Sequence, residues 1–520
     1  MRPVLMTFAA LLSSAALSQP VLAQVTPEDV WAIQRDFYAA SGLQMSAQES
    51  RSGETLTLSD VTGTVVLPQG FGTISAILGP IDLTARSDGS VLVAYRQPSE
   101  IRLVAEIFPA TPEELYFDLK MTGTQENVST VATGSPDAIT FTTEAGRTTA
   151  TLTDVVMRGD PAMEAMDLSG MTVVIDVRDA VSVSTVSRDE TTLTMEVQAL
   201  SGPSANIVQI DLQSDLGFLL DNSGSSTSSV YWGRAVLPVA GINFLDLAAS
   251  IRSGLALDVT TRTEGMSSVS ITSDPMSGET RQVSDTAFSE ARVSLGEGGF
   301  GLEAFTGAAN IQYEDSNLVP VPIQLGLLGS RFLLQTPLLA SDTPQSARLA
   351  LYLEELSVDE RLVRLIDPSE FLPRDPISFE LDIEGEMTVL ADLVDFLAVG
   401  AMIDEGVSPV EPTSATLHSG AVAGAGVQVT SSGRFDIDIN DDTFLDGMPF
   451  RPAGSAQARA TGVNGLIDSL VTMGLLAEEE AGIARLGLGM FSRNLGDDTL
   501  ESSLEVSPEG SIMVNGNRIR

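Results

Sequence analysis

Apolar and polar residues alternate with a period of two along most of this chain. Leu56 and Leu58 begin the pattern. Val91, Val93 and Tyr95 follow, then Ile101, Leu103, Ala105 and Ile107, then Phe117, Leu119 and Met121. Ile139 and Phe141 continue it, and Ala145-Gly146 reads as a turn that returns the chain. Val173, Ile175, Val177, Val181 and Val183 hold one parity, and Leu193, Met195 and Val197 extend it. Thr, Ser and Asp fill much of the other face. Successive side chains of a strand point to opposite faces, so this is antiparallel sheet with one face buried and one wet. The second half resumes with Leu255, Leu257 and Val259, and Gly296-Glu297-Gly298-Gly299 makes a turn. Pro320-Val321-Pro322 and Thr336-Pro337-Leu338 read as extended and irregular. Phe379, Leu381 and Ile383 interleave with Glu380, Asp382 and Glu384. The run from Gly420 to Gly426 is all small residues and lets another layer approach closely.

Helical periodicity is rarer. Thr26 caps a helix that opens on Pro27, has Asp29 three residues after the cap, and carries the stripe Val30, Ile33, Phe37. Trp31 and Tyr38 widen the stripe, and Ser41-Gly42 ends it. A second helix runs from a cap at Asn243 to a stop at Gly254. Ser357 caps a third over 358–366, stopped by Asp367-Pro368, and Leu390–Ala401 reads as a fourth. Val463, Ile467, Leu470 and Val471 form the stripe of a fifth, between a cap at Thr461 and a stop at Gly474. Ile483, Leu486 and Met490 follow behind Glu478-Glu479-Glu480, acids suited to a helix N-terminus. The chain closes with a hairpin, 500–506 and 511–514, turning at Pro508-Glu509-Gly510. The last sixty residues thus predict a helical cap delivered onto a sheet whose final strand is the C-terminus.

The expected fold is mainly β (α+β), with long antiparallel β-sheets and a few covering amphipathic helices. Asp221–Ser229 is the one low-complexity run, either a linker or a long hairpin tip. Two helix-then-sheet stretches, from Pro27 and from Asn243, share a pattern. They divide the chain into a module over 24–236 and a module over 237–520. Residues 1–23 read as a secretory signal peptide: Arg2, an apolar run from Val4 to Leu17, then Val21-Leu22-Ala23 before the cut. The expected location is therefore the periplasm. No later stretch reaches roughly 18 uncharged apolar residues, so no integral membrane segment is expected after cleavage. Few aromatics and a C-terminal Arg520 argue against an outer-membrane barrel.

Composition sharpens this. The 520 residues carry 70 acids against 28 bases, a net charge of −42, with Lys120 the only lysine. Such a field repels nucleic acid and anionic lipid headgroups and favours cations and basic partners, while keeping a secreted protein soluble. Mean hydropathy of +0.17 is ample for a core. Aromatics at 5% leave that core to aliphatic residues. The absence of cysteine excludes disulfides, thiolate metal sites and a catalytic Cys.

Candidate chemistry is sparse. His418 is the only histidine, so any Ser-His-Asp triad must use it, and no G-x-S-x-G elbow is present. A zinc site built on His or Cys is excluded by the same count. Asp436-Ile437-Asp438-Ile439-Asn440 supplies the first ligand positions of a calcium loop, but Asp441 stands where the loop needs glycine. Asp436, Asp438 and Asp441 are the calcium candidates, with Asp442 and Asp446 behind them. The plainer reading is an edge strand with aspartates outward and isoleucines inward. Leu372-Pro373-Arg374-Asp375-Pro376 is either an anion corner at Arg374 or a rigid loop whose Arg and Asp satisfy local backbone groups. A carboxylate pair for glycoside hydrolysis is open to any of the acids, but Trp31 and Trp232 are few for sugar platforms. No catalytic residue and no cofactor is assigned, and no nucleic-acid surface is found.

Leu365-Ile366-Asp367-Pro368 leading into Leu372-Pro373-Arg374-Asp375-Pro376 resembles the proteobacterial family called domain of unknown function 2125. So does the ending Gly462, Leu470-Val471, Gly474, then Gly510-Ser511-Ile512 and Val514-Asn515-Gly516. The resemblance covers most of the mature chain and is strongest from Leu351 onward. It carries no activity or site residues to transfer. The last sixty positions also resemble YdgA-type and AsmA-like envelope proteins, which implies a long sheet with an apolar groove for envelope lipids. The expected function is a periplasmic, non-enzymatic binding or scaffold protein that holds a lipid or other amphiphile. The alternatives are a carboxylate-dependent hydrolase of envelope polymers and an acidic partner of a basic envelope protein.

Overall fold

A computed structural model describes residues 24–519, apart from 110, 112, 160–167, 213–216, 277, 316–318 and 441–449. The expected leader over 1–23 and the candidates Asp441, Asp442 and Asp446 lie outside the described residues. Strand makes up 63% and helix 14% of the molecule. Among the described residues the strands pair antiparallel and join into one 29-stranded sheet. The mainly β class follows from the alternation described above. No described helix is long and apolar enough to cross a membrane.

The sheet is two tiers wide because several strands are twice the usual length. The strand Thr172–Arg188 pairs through Thr172–Val177 with Ser204–Leu212 and through Val181–Arg188 with Thr192–Ser201. Ala256–Asp274 likewise spans both Ser228–Pro238 and Phe218–Ser226. Asp221–Ser229 is therefore neither a linker nor a hairpin tip: Phe218–Ser226 and Ser228–Pro238 run on in one direction along Ala256–Asp274, interrupted only at Thr227. The proposed boundary at 236/237 falls inside Ser228–Pro238, which is paired on one edge to Thr192–Ser201 and on the other to Ala256–Asp274. The sheet is continuous across it.

Among the described residues, six α-helices decorate the sheet: α1 (Pro27–Ala40), α2 (Leu247–Arg252), α3 (Glu360–Ile366), α4 (Phe396–Asp404), α5 (Val463–Thr472) and α6 (Glu478–Phe491). The first is anchored by a capping box: Asp29 N–H donates to Thr26 Oγ1 at 3.2 Å, and Thr26 N–H donates to Asp29 Oδ2 at 2.9 Å. Helices α1, α2, α4 and α5 end in one common motif. The amide of the apolar residue after a left-handed glycine reaches back five residues: Leu43 to Tyr38 O, Leu255 to Ser250 O, Val407 to Met402 O and Leu475 to Leu470 O. At Gly254, with φ of 102°, this reversal turns Leu255 into the core and starts the strand from Ala256.

The core lies under α1. Val30, Trp31, Ile33 and Phe37 pack with Leu56, Leu58, Val61, Leu83, Val91, Ile139, Phe141, Leu193 and Ile251, all buried. Full burial of each large side chain contributes about 1.5–3 kcal/mol. Trp31 keeps its indole N–H satisfied by donating to Glu49 Oε1 at 3.0 Å.

Several local expectations need correction. Ala145-Gly146 is not a turn but the middle of the strand Ala138–Arg158; the chain reverses at Pro136-Asp137 instead. The odd valines Val181 and Val183 stand opposite Glu144 and Thr142, while the even position Val186, opposite Ile139, enters the core. The parity was legible but the covered side was not. Aspartates cap the inner helices: Asp246, not Asn243, caps α2; Asp359, not Ser357, caps α3; and Asp395 caps α4. A carboxylate accepts from the first-turn amides and also faces the positive helix end. Gly462, not Thr461, precedes α5, because Thr461 is still paired in a strand. The strand Val427–Asp438 is not an edge, since both its sides are paired.

The terminal hairpin forms as expected. Thr499–Val506 pairs with Arg451–Thr461 and buries Leu500 and Val506, while Val514 joins from the returning strand Ile512–Val514. The expected cap does not form around α6. Its stripe Ile483, Leu486 and Met490 is 66–70% exposed, and the packed side is the small one at Ala481. Deleting Thr499–Arg520 is expected to strip one whole edge of Arg451–Thr461 and drive the protein to aggregate. Size exclusion with far-UV circular dichroism reads this; a native, monomeric truncation would overturn it.

Candidate ligand-binding face

Beyond Leu255 the buried apolar set thins to scattered positions such as Leu333, Ala350, Val389 and Ile467. The alternation nevertheless continues, and pairing aligns it into rows that cross the strands. One row is Leu302, Leu334, Leu349, Ile383 and Leu417. A second is Ala304, Phe332, Leu351, Leu381 and Gly420. A third is Leu353, Phe379, Val422 and Val429. From Gly299–Thr306 to Val427–Asp438 the rows step across six strands, about 24 Å at the usual interstrand spacing. No described helix or strand covers them as α1 covers the core. Leu349, Phe379, Ile383 and Val422 stay 36–48% exposed. A contiguous apolar face left open to water marks a surface that meets something apolar.

The opposite face is a ladder of ion pairs and hydrogen bonds. Arg348 donates to both oxygens of buried Asp382, at 2.9 and 2.6 Å, and Tyr352 Oη donates to the same carboxylate at 2.9 Å. The Arg348 guanidinium foremost holds the Asp382 carboxyl below its usual range, against desolvation. Burial, and then its bond to Asp382, push the Tyr352 phenol up. Ser346 Oγ donates to Glu384 Oε1 at 2.7 Å, and His418 Nε2 lies 2.7 Å from Glu384 Oε2. Ser346 first, then His418, lowers the Glu384 carboxyl.

This places the sole histidine in a hydrogen-bonded Ser–Glu–His row, reached because a bulge at 418 turns its ring onto the polar face. The carboxylate is central and the imidazole terminal. A nucleophilic triad needs the imidazole between the other two, so the arrangement works as cross-strand support. Arg374 and Asp375 do not pair with each other. Arg374 Nη2 donates to Asp367 O at 3.0 Å and Nη1 stands 3.0 Å from Asp367 Oδ2, while Asp375 accepts from Gly426 N–H at 2.8 Å. Asp367 is wholly buried and accepts from the Phe371 and Leu372 amides. Arg374 is thus anchored to Asp367, while its Nε and Nη1 are buried without a hydrogen-bond partner. Asp438 accepts from Arg451 at 2.9 Å, and Asp436 is 77% exposed; among the described residues no three acids or histidines gather as a metal site.

Trp31 is in the core, but Trp232 walls an open cavity of 530 Å³ with Arg234, Asp258, Ser294 and Gln335. Its one carboxylate, Asp258, is held by both Nε and Nη2 of Arg292. The pair of carboxylates that glycoside hydrolysis needs is absent from this lining. Sequence reasoning singled out Phe379, Leu381 and Ile383 but missed their partners on the flanking strands. Leu349, Leu351 and Leu353 carried the same alternation, a signal available in the sequence.

The many anchored carboxylates predict an acid response. Arginine bonds foremost lower Asp82, Asp118, Asp382 and Asp392, and Asp189 and Asp359 are held at about 2. Depressed folded-state values stabilise the fold above the unfolded carboxyl range near pH 4, and that contribution disappears as pH falls from there towards 2. Urea midpoints are therefore expected to fall between pH 4 and 2. A midpoint unchanged over that range would sink this reading.

No protein-family model matches the chain, and no curated protein matches it.

Proposed function

We propose that this is a periplasmic, non-enzymatic protein that holds a lipid or other amphiphile against the open apolar rows. The observation that carries the proposal is the uncovered face from Leu302 to Val429, backed by a polar face with its own complete network. A sheet with one apolar side normally buries it under a second layer, and an acyl chain provides that layer without a second protein element. The leader at 1–23 and the resemblance to domain of unknown function 2125 and to AsmA-like envelope proteins belong to the same reading.

Native mass spectrometry of protein purified from its own periplasm tests it. The expected result is a co-purifying lipid that organic extraction removes. A clean apo mass, together with turnover of muropeptides or glycans, would replace this reading with the hydrolase.

A further inference from the structure

Arg331 stands on the polar face, independent of the apolar rows. Pairing sets it directly between Phe305 on one neighbouring strand and Tyr352 on the other. Its guanidinium carbon lies 4.9 Å from the Phe305 ring centre and 5.8 Å from that of Tyr352. Arginines on nearby strands each hold a carboxylate: Arg262 with Glu264 at 2.7 Å, Arg292 with Asp258 at 2.8 Å and Arg348 with Asp382 at 2.6 Å. Arg331 has none among the described residues, and its Nε is buried without any acceptor. This is notable in a chain with 70 acids to 28 bases. Tyr352 presents its ring to the guanidinium, while its phenol O–H donates to Asp382.

We propose that Arg331 is an anion receptor that takes one phosphate or carboxylate oxoanion. A buried N–H without an acceptor is a cost that a native structure rarely carries unexplained. The two aromatic rings flank the guanidinium and strip its water, while its N–H fork has no acceptor among the described residues. That fork matches two oxygens of an oxoanion. The surrounding negative field weakens the approach of any anion, so only one that fills the fork is retained. The chemistry is shared by free phosphate and by a phospholipid headgroup.

The test is a titration of the full chain labelled with [15N]arginine, following Nε–H resonances at constant ionic strength. One arm adds inorganic phosphate; the other adds dihexanoyl phosphatidic acid below its micelle concentration. The Arg331 resonance is assigned by its loss in R331M. The expected result is a saturable shift of that resonance in at least one arm, with the exposed Arg459 unmoved at the same concentrations. Saturation by phosphate identifies a free oxoanion, and saturation only by phosphatidic acid identifies a headgroup. F305L, which removes one wall but keeps the charge, is expected to weaken affinity severalfold. The proposal is overturned if neither arm saturates, or if Arg331 and Arg459 drift together in proportion to concentration. A co-purified lipid bears on the apolar face and decides nothing here.

Discussion

Trp31→Ala is expected to lower the unfolding free energy by about 3–5 kcal/mol, the range for emptying a large aromatic site in a packed core. Trp31 is 5% exposed and sits in the cluster that joins α1 to both early and late strands of the first half, from Leu56 to Leu255. Its loss leaves a cavity beneath the helix and frees Glu49 of its indole partner. Trp31→Phe separates the two effects. It keeps most of the apolar volume and removes the hydrogen bond, so a loss of about 1 kcal/mol plus a smaller packing term is expected. Urea unfolding followed by far-UV circular dichroism measures both. If Trp31→Ala cost no more than Trp31→Phe, α1 would not be the keystone of the core.

The combined substitution of Phe379, Ile383 and Val422 by Thr is expected to behave in the opposite way. These side chains face the open side, each 37–48% exposed, so removing their apolar surface empties no enclosed cavity. Threonine also keeps the β-branched shape that suits a strand. A stability loss of about 0.5–1 kcal/mol per site is expected, within reach of cross-strand pairing terms. Binding should suffer far more. Withdrawing roughly 3 kcal/mol of apolar contact from an acyl chain corresponds to about a hundredfold in affinity. Titration with 11-dansyl-undecanoic acid, read by fluorescence, checks this against the urea midpoint. Affinity unchanged in the triple variant would remove these rows from any amphiphile site, and a collapse of stability would show that they are a core after all.

The two experiments differ because identical alternation has two fates in this molecule. Leu56, Leu58 and Leu83 repeat at period two and are buried under α1. Leu349, Leu351 and Leu353 repeat at the same period and lie on the open face. Nothing local distinguishes the two sets. The calcium candidates show a related effect: Asp436 and Asp438 share a face, but pairing hands Asp438 to Arg451, a residue thirteen positions on. His418 too was visible as the lone imidazole, yet its role came from Glu384 and Ser346, 34 and 72 positions away. Arg331 was not singled out at all, because an arginine is conspicuous only when the carboxylates around it are known to be engaged elsewhere.

By itself, the amino-acid sequence determined the strand alternation, the turns at 296–299 and 508–510, the capping box at Thr26 and the glycine stops at Gly42, Gly254 and Gly474. These depend on backbone sterics and on hydrogen bonds spanning a few residues, which travel with the sequence. The tertiary structure alone decided which parity is covered. Val186 rather than Val183 enters the core, and the rows from Leu302 to Val429 stay open, because burial depends on where α1 and the few other helices come to rest. A strand's alternation offers two faces; only a second layer, present over the first and missing over the other, assigns one to the protein and leaves the other for a ligand.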